Sequence, residues 1–257
     1  MAFGCVFLVA AFCANVSPCE VDLAGSWNLI GQDAGGNSVS CPIAVPGDVQ
    51  SALLAAGRMV DPYFGCNETN VQWVGRHDWT VSRTFDVPAG FLDHASVILR
   101  LEDCDTFADV FVNDVKVGSA SDRFRRWDFD VKSALKPGKN EIRGVFRSAW
   151  NEADARYAES SRKFFMSCED FVWCKTPVFI RKPACHRGWD WGLAQMTTGF
   201  CGPVKLIASD GGRIDYVCCD QAFNADYSHC TLTVKATLET GRVVTNVVEI
   251  DNPPLWW

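Results

Sequence analysis

The stretch HRGWDWG at residues 186–192 sets two indoles on either side of one carboxylate, with a glycine at each flank. An indole face stacks against the C–H face of a pyranose. A carboxylate accepts hydrogen bonds from neighbouring hydroxyls. Trp189 and Asp190 together therefore make a minimal unit for holding a sugar ring. The competing reading is architectural. In a regular strand Trp189 and Trp191 would face a core and Asp190 would face water. Gly188 and Gly192 argue for a bend or loop instead, since glycine inside a strand marks an irregularity. The pattern alone leaves both readings open.

Other chemistries have less support. His77, His94, His186 and His229 are scattered and lack metal-ligand spacing, so surface or core roles are the default. Asp103 and Asp105 could suggest calcium, but the alternation around them reads as the start of a strand. DRFRRWDF at 122–129 reads as a solvated basic turn. No glycine-rich phosphate loop is present, so neither metal nor cofactor is expected. The 13 cysteines include no paired CxxC units. Cys218 and Cys219 are adjacent and cannot bridge without strain. The remaining thiols either pair in an exported protein or serve as small buried hydrophobes. Asn15-Val16-Ser17 and Asn67-Glu68-Thr69 are glycosylation sequons. A net charge of −7 without a basic stripe argues against nucleic acid and anionic membrane as partners.

The elements that must carry these residues are mostly strands. Residues 1–20 open with the apolar run MAFGCVFLVAAFCA, too short to span a bilayer. It resembles the apolar core of a signal peptide without the usual leading cation. A secreted, periplasmic or lysosome-like location is the expectation, with the cytoplasm as the other possibility. LAGSWNLIG predicts a strand, and VPGDVQSALLAAG a short helix capped by Asp48 and stopped by Gly57. Residues 58–78 predict an ordered loop held by Tyr63, Phe64 and Trp73. From Trp79 the period is two: WTVSRTFDV, SVILRLE, TFADVFVNDVKVG and RWDFDV are strands. Asn113–Asp114 form a hairpin turn. A further strand follows Pro137–Gly138, then a helix-permissive segment at 150–163. Strands return at TPVFIRK and GPVKLIAS. This is an all-β jelly-roll pattern over 21–210. Past SDGGR, RIDYVCCDQAF and SHCTLTVKATLETG read as the opening strands of a second sandwich over 211–257. Fewer than half of the ~100 residues of an immunoglobulin-like domain follow Arg213, so this sandwich is expected to be truncated.

VPGDVQSALLAAG, DPYFGCNETNVQWVG, DWTVSRTFDV, DTFADVFVNDVKVG, FDVKSALKPGKNEI, IRKPACHRGWDWG, TTGFCGPVKLIA and NPPLWW occur in this order. Together they resemble the N-terminal region of β-mannosidases within glycoside hydrolase family 2, over residues 22–257. The resemblance implies a galactose-binding-like jelly roll followed by the start of an immunoglobulin-like sandwich. It implies that Trp189 packs on a terminal β-mannoside and that Asp190 binds its hydroxyls, with Trp191 structural. It also implies that catalysis belongs to a barrel domain of ~250 residues, so no catalytic residue is expected in this chain. Asn67–Glu68 mimics the family's acid/base pair. Its loop position instead implies a structural role, with Glu68 accepting backbone hydrogen bonds. Leu193 replaces a usual proline, Cys201 a common tryptophan, and His186–Arg187 are unusual before the motif. Two functions remain: the non-catalytic part of a hydrolase, or a free-standing lectin-like module. The truncated second sandwich favours the first.

Overall fold

The computed structural model describes residues 19–162, 177–189, 192–210, 214–238 and 243–251. The chain divides into two compact units. The larger comprises Cys19–Asp93 and Val97–Ala208. The smaller contains His94–Ser96 and the described residues from Ser209 onward.

The larger unit is a β-sandwich. One sheet has six strands, in the order β3 (Ser38–Val45), β2 (Gly25–Gln32), β4 (Trp79–Val87), β10 (Gly138–Arg147), β7 (Phe107–Val112) and β8 (Val115–Ala120). The other has four: β1 (Cys19–Asp22), β12 (Val204–Ser209), β5 (Ser96–Leu101) and β9 (Trp127–Asp130). The two-residue strands β6 (Cys104–Asp105) and β11 (Gly199–Phe200) pair separately. Period-two alternation sends one set of side chains inward. Trp27 and Leu29 of β2, Val81 and Phe85 of β4, Leu99 and Leu101 of β5 and Leu206 of β12 join one buried cluster. The all-β sandwich expected from the strand pattern is the fold observed.

Local chemistry explains the connections. Asp48 caps α1 (Val49–Ala55) by accepting from the Ser51 amide at 2.9 Å, which satisfies an amide with no partner inside the helix. Asn113 and Asp114 both have positive φ, as a tight two-residue hairpin between β7 and β8 requires. α4 (Ala149–Glu159) starts at Ser148, whose hydroxyl accepts from the Asn151 amide.

Two expectations are corrected. Residues 58–78 contain two short helical turns, α2 (Asn67–Asn70) and α3 (Trp73–Arg76). Trp73 packs on the core, but Tyr63 and Phe64 are 80% and 76% exposed and hold nothing together there. The described part of TPVFIRK is not a strand. Pro177–Phe179 form a 3-10 turn, and Arg181 makes only an isolated bridge to Asp122.

The smaller unit carries a three-stranded antiparallel sheet, β13 (Ile214–Phe223), β14 (His229–Leu238) and β15 (Val243–Asp251). Its first two strands coincide with the alternating segments past Arg213.

Candidate functional site

Trp189 lies on a short turn and is 40% exposed. Its amide donates to the Gly192 carbonyl at 3.1 Å, and the Gly192 amide donates back at 3.2 Å. The ends of the WDWG stretch therefore pair with each other, which is a loop and not a continuous strand. Gly188 makes the approach possible: its φ of +94° lies where a side chain would be strained. Asp190 and Trp191 lie outside the described residues.

Three residues before this turn, His186 belongs to a buried polar cluster. Asp105 is fully buried and every acceptor position on its carboxylate has a donor. Oδ1 accepts from the Lys182 ammonium and from the Thr106 hydroxyl. Oδ2 accepts from Arg123 Nη1 at 3.0 Å and from the Thr197 hydroxyl at 2.6 Å. The Arg123 guanidinium also contacts Asp103 through Nε and Nη2, each at 3.0 Å. Two cations thus face two carboxylates. Burial works against ionisation of Asp105, but Lys182 and Arg123 outweigh it and hold the carboxyl below its usual range. Burial also pulls the Lys182 ammonium down against the attraction of Asp105. The geometry fits the charged pair, because both Asp105 oxygens face donors and Lys182 Nζ also donates to the Thr197 carbonyl at 2.7 Å.

His186 closes a ring over this pair. Thr197 spends its hydroxyl proton on Asp105, so His186 Nδ1 donates to Thr197 Oγ1 at 3.0 Å. Arg123 Nη1 then donates to His186 Nε2 at 3.3 Å. These roles require the neutral ring with its proton on Nδ1. Burial, reinforced by the nearby Lys182 charge, lowers the His186 pKa to about 4. A cleft of about 240 Å³ opens beside the ring, lined in part by Pro46, Gly47, Arg123, His186, Thr197 and Cys201. Burial pushes the Cys201 thiol up to about 12, so it is no nucleophile at neutral pH. With Asp105 saturated and Cys201 protonated, the cluster supplies rigidity and hydrogen-bonding groups instead of a free base.

The segment leaving the turn is pinned at close intervals. Glu68 Oε1 accepts from the Ala194 amide at 2.6 Å, and Gln72 Nε2 donates to the Ala194 carbonyl at 2.7 Å. Gln50 Nε2 donates to Met196 O at 2.7 Å. The Val49 amide donates to Thr198 O and the Gly47 amide to Phe200 O. The expected role of Glu68 as a backbone acceptor is the one seen. One expectation fails here. Arg123 is no solvated turn residue, since its charge is committed to Asp103 and Asp105. His186 takes the core role expected by default, as a member of a hydrogen-bonded polar ring. Sequence reasoning passed over Lys182 and Thr197 entirely. The described cysteines are free thiols, with Cys41, Cys104 and Cys230 buried.

The family described as glycosyl hydrolase 2 galactose-binding domain-like matches residues 27–204. The chain belongs to that family. Among relatives, it is 32% identical to a β-mannosidase of Mus musculus over 219 residues, covering 82% of this chain and 24% of the relative. It is 33% identical to a probable β-mannosidase of Caenorhabditis elegans, covering 72% of this chain and 21% of the relative. A crystal structure of β-D-mannosidase from Dictyoglomus thermophilum superposes with a TM-score of 0.77 at 26% identity, covering 93% of this chain and 32% of that one. The chain is homologous to the N-terminal part of β-mannosidases and spans about a quarter of the length of these curated relatives. No helix among the described residues is long and apolar enough to cross a membrane.

Proposed function

We propose that this chain is the sugar-facing, non-catalytic part of a β-mannosidase, an enzyme that removes terminal β-linked mannose from non-reducing ends with retention. Residues 21–210 form its jelly-roll domain, and residues from 211 begin an immunoglobulin-like sandwich. Trp189 stacks on the terminal sugar and Asp190 accepts from its hydroxyls. The nucleophile and the acid/base, two carboxylates about 5–5.5 Å apart in a retaining enzyme, belong to a barrel domain that is this chain's partner. An exported, lysosome-like setting accords with the apolar run at residues 1–14.

One observation supports the reading above others: a partly exposed indole on a closed turn, in a family member. The bonds from Glu68 and Gln72 to Ala194 anchor the segment that leaves the turn. The test compares the intact enzyme with its Trp189→Ala and Asp190→Ala variants on an aryl β-mannoside. Each is expected to cut kcat/KM by about ten- to a hundredfold, the worth of one good contact. Thermal unfolding of these variants should be unchanged. Unchanged kinetics in both would remove the sugar-binding role. The chain alone should not hydrolyse the substrate.

A further inference from the structure

Glu68 and the Trp189 turn are far apart in sequence, and the contact between their segments has no role in folding either one locally. Ala194 is the link. It is 1% exposed, so its amide has no access to water. Its donor goes to Glu68 Oε1 at 2.6 Å, and its acceptor receives Gln72 Nε2 at 2.7 Å. Gln72 Nε2 also donates to the Glu68 carbonyl at 2.8 Å, so the two side chains work from one fixed backbone. Both polar groups of a single peptide position are thus held by side chains from α2 and the residues after it. On its other side Ala194 packs against Gly188. A methyl group added at Gly188 would lie 3.4 Å from Ala194 Cβ. Gly188 immediately precedes Trp189, and Gly192, two residues before Ala194, exchanges both backbone bonds with Trp189. A shift of Ala194 therefore moves Trp189 from both sides.

From this chain of contacts we propose that Glu68 is a positioning residue for sugar recognition. It fixes Ala194, and through Ala194 it sets where the Trp189 indole stands. The inference rests on the sugar-binding reading of Trp189. Glu68 itself touches no ligand. The carboxylate suits the task because a charge-assisted hydrogen bond to an amide is shorter and stronger than a neutral one. A buried amide left without an acceptor would instead drive the segment to rearrange toward water.

The test uses the full chain and two readouts. The first is hydrogen exchange. In Glu68→Ala, the Ala194 and Gly192 amides should exchange about ten- to a hundredfold faster, with β4 and β10 unchanged. Glu68→Gln, which keeps an oxygen acceptor, should restore most of the protection. The second is saturation-transfer NMR with methyl β-D-mannoside. Transfer seen with the native chain should vanish in Trp189→Ala, weaken severely in Glu68→Ala and return in Glu68→Gln. If Glu68→Ala leaves exchange unchanged, or changes exchange without weakening transfer, the positioning role is wrong. If the native chain gives no transfer, or Trp189→Ala leaves it intact, the sugar reading fails, and the exchange result still decides whether Glu68 holds the turn.

Discussion

Replacing Lys182 by methionine removes an ammonium while keeping most of an aliphatic stem, so it isolates the ion pair with Asp105. Both side chains are fully buried. An unpaired buried carboxylate is costly, and Lys182→Met is expected to lose about 3–5 kcal/mol of stability. Asp105→Asn should cost a similar amount. The double variant should recover part of the loss, because neither charge is then stranded. Urea unfolding of the four proteins measures this, and strict additivity would show that the pair is not coupled. His186 adds a pH dependence. Its folded pKa of about 4 lies below the ordinary value of 6.5, so the unfolded chain takes up a proton first as the pH falls. Stability contributed by neutral His186 is complete above about pH 6.5 and is lost between there and about pH 4. That loss is on the order of 3 kcal/mol at most. A His186→Gln variant should show a flatter melting-temperature profile over this window. Asp105 acts lower: its stabilisation is lost as the pH falls below the usual carboxylate range. Little of this was legible in the sequence. Asp105 meets Lys182 across 77 residues and Thr197 across 92, and no local spacing connects such partners. The bend at Trp189 was legible because Gly188 and Gly192 flank it in one short stretch. Glu68 was legible as a backbone acceptor, but its partner Ala194 was not.

At the level of elements, β10 shows how the sandwich closes. Gly144 lies mid-strand with Val81 on one side and Val110 on the other. A Cβ there would stand 2.6 Å from the Phe200 ring and 3.0 Å from that of Phe146. Those two rings pack edge to face with centroids 4.9 Å apart, and neither can swing aside cheaply in a filled core. Gly144→Ala should therefore destabilise by about 1–3 kcal/mol, although alanine is the better residue for an unfolded-state argument. A rise in melting temperature would mean the rings have room that the geometry denies. Strands with clean alternation, such as β4 and β10, were readable because one face is buried and the other wet. The two-residue strands β6 and β11 were too short to show a period. PVFIRK looked like a strand by residue type, yet β propensity expresses fit to a sheet surface. Residues 177–182 have no ladder to join beyond one bridge.

Across the whole molecule, stability is unevenly spread. Among the described residues, nearly every buried apolar side chain belongs to the larger unit. In the three-stranded sheet of the smaller unit, Cys230 and Ala236 are the buried apolar residues among those described. Tyr216, Val217 and Phe223 of β13 are exposed by 62%, 52% and 42%. A chain cut after Asp210 should thus keep the cooperative thermal transition of the full chain, since the described residues of the removed part contribute little burial. A drop of many degrees would assign the smaller unit a share of the core.

Among the described residues, β13 and β15 are the outer strands of that sheet, and each ladders on one side. An outer strand offers its free row of amides and carbonyls to any second chain that can align with it. β13 also places Cys218 and Cys219 along this margin, with Cys219 exposed. Two copies that meet there bring thiols together as well as backbones. Stored concentrated in air, the protein will drift toward cross-linked oligomers, and a reducing agent with dilution is the handling that keeps it monodisperse.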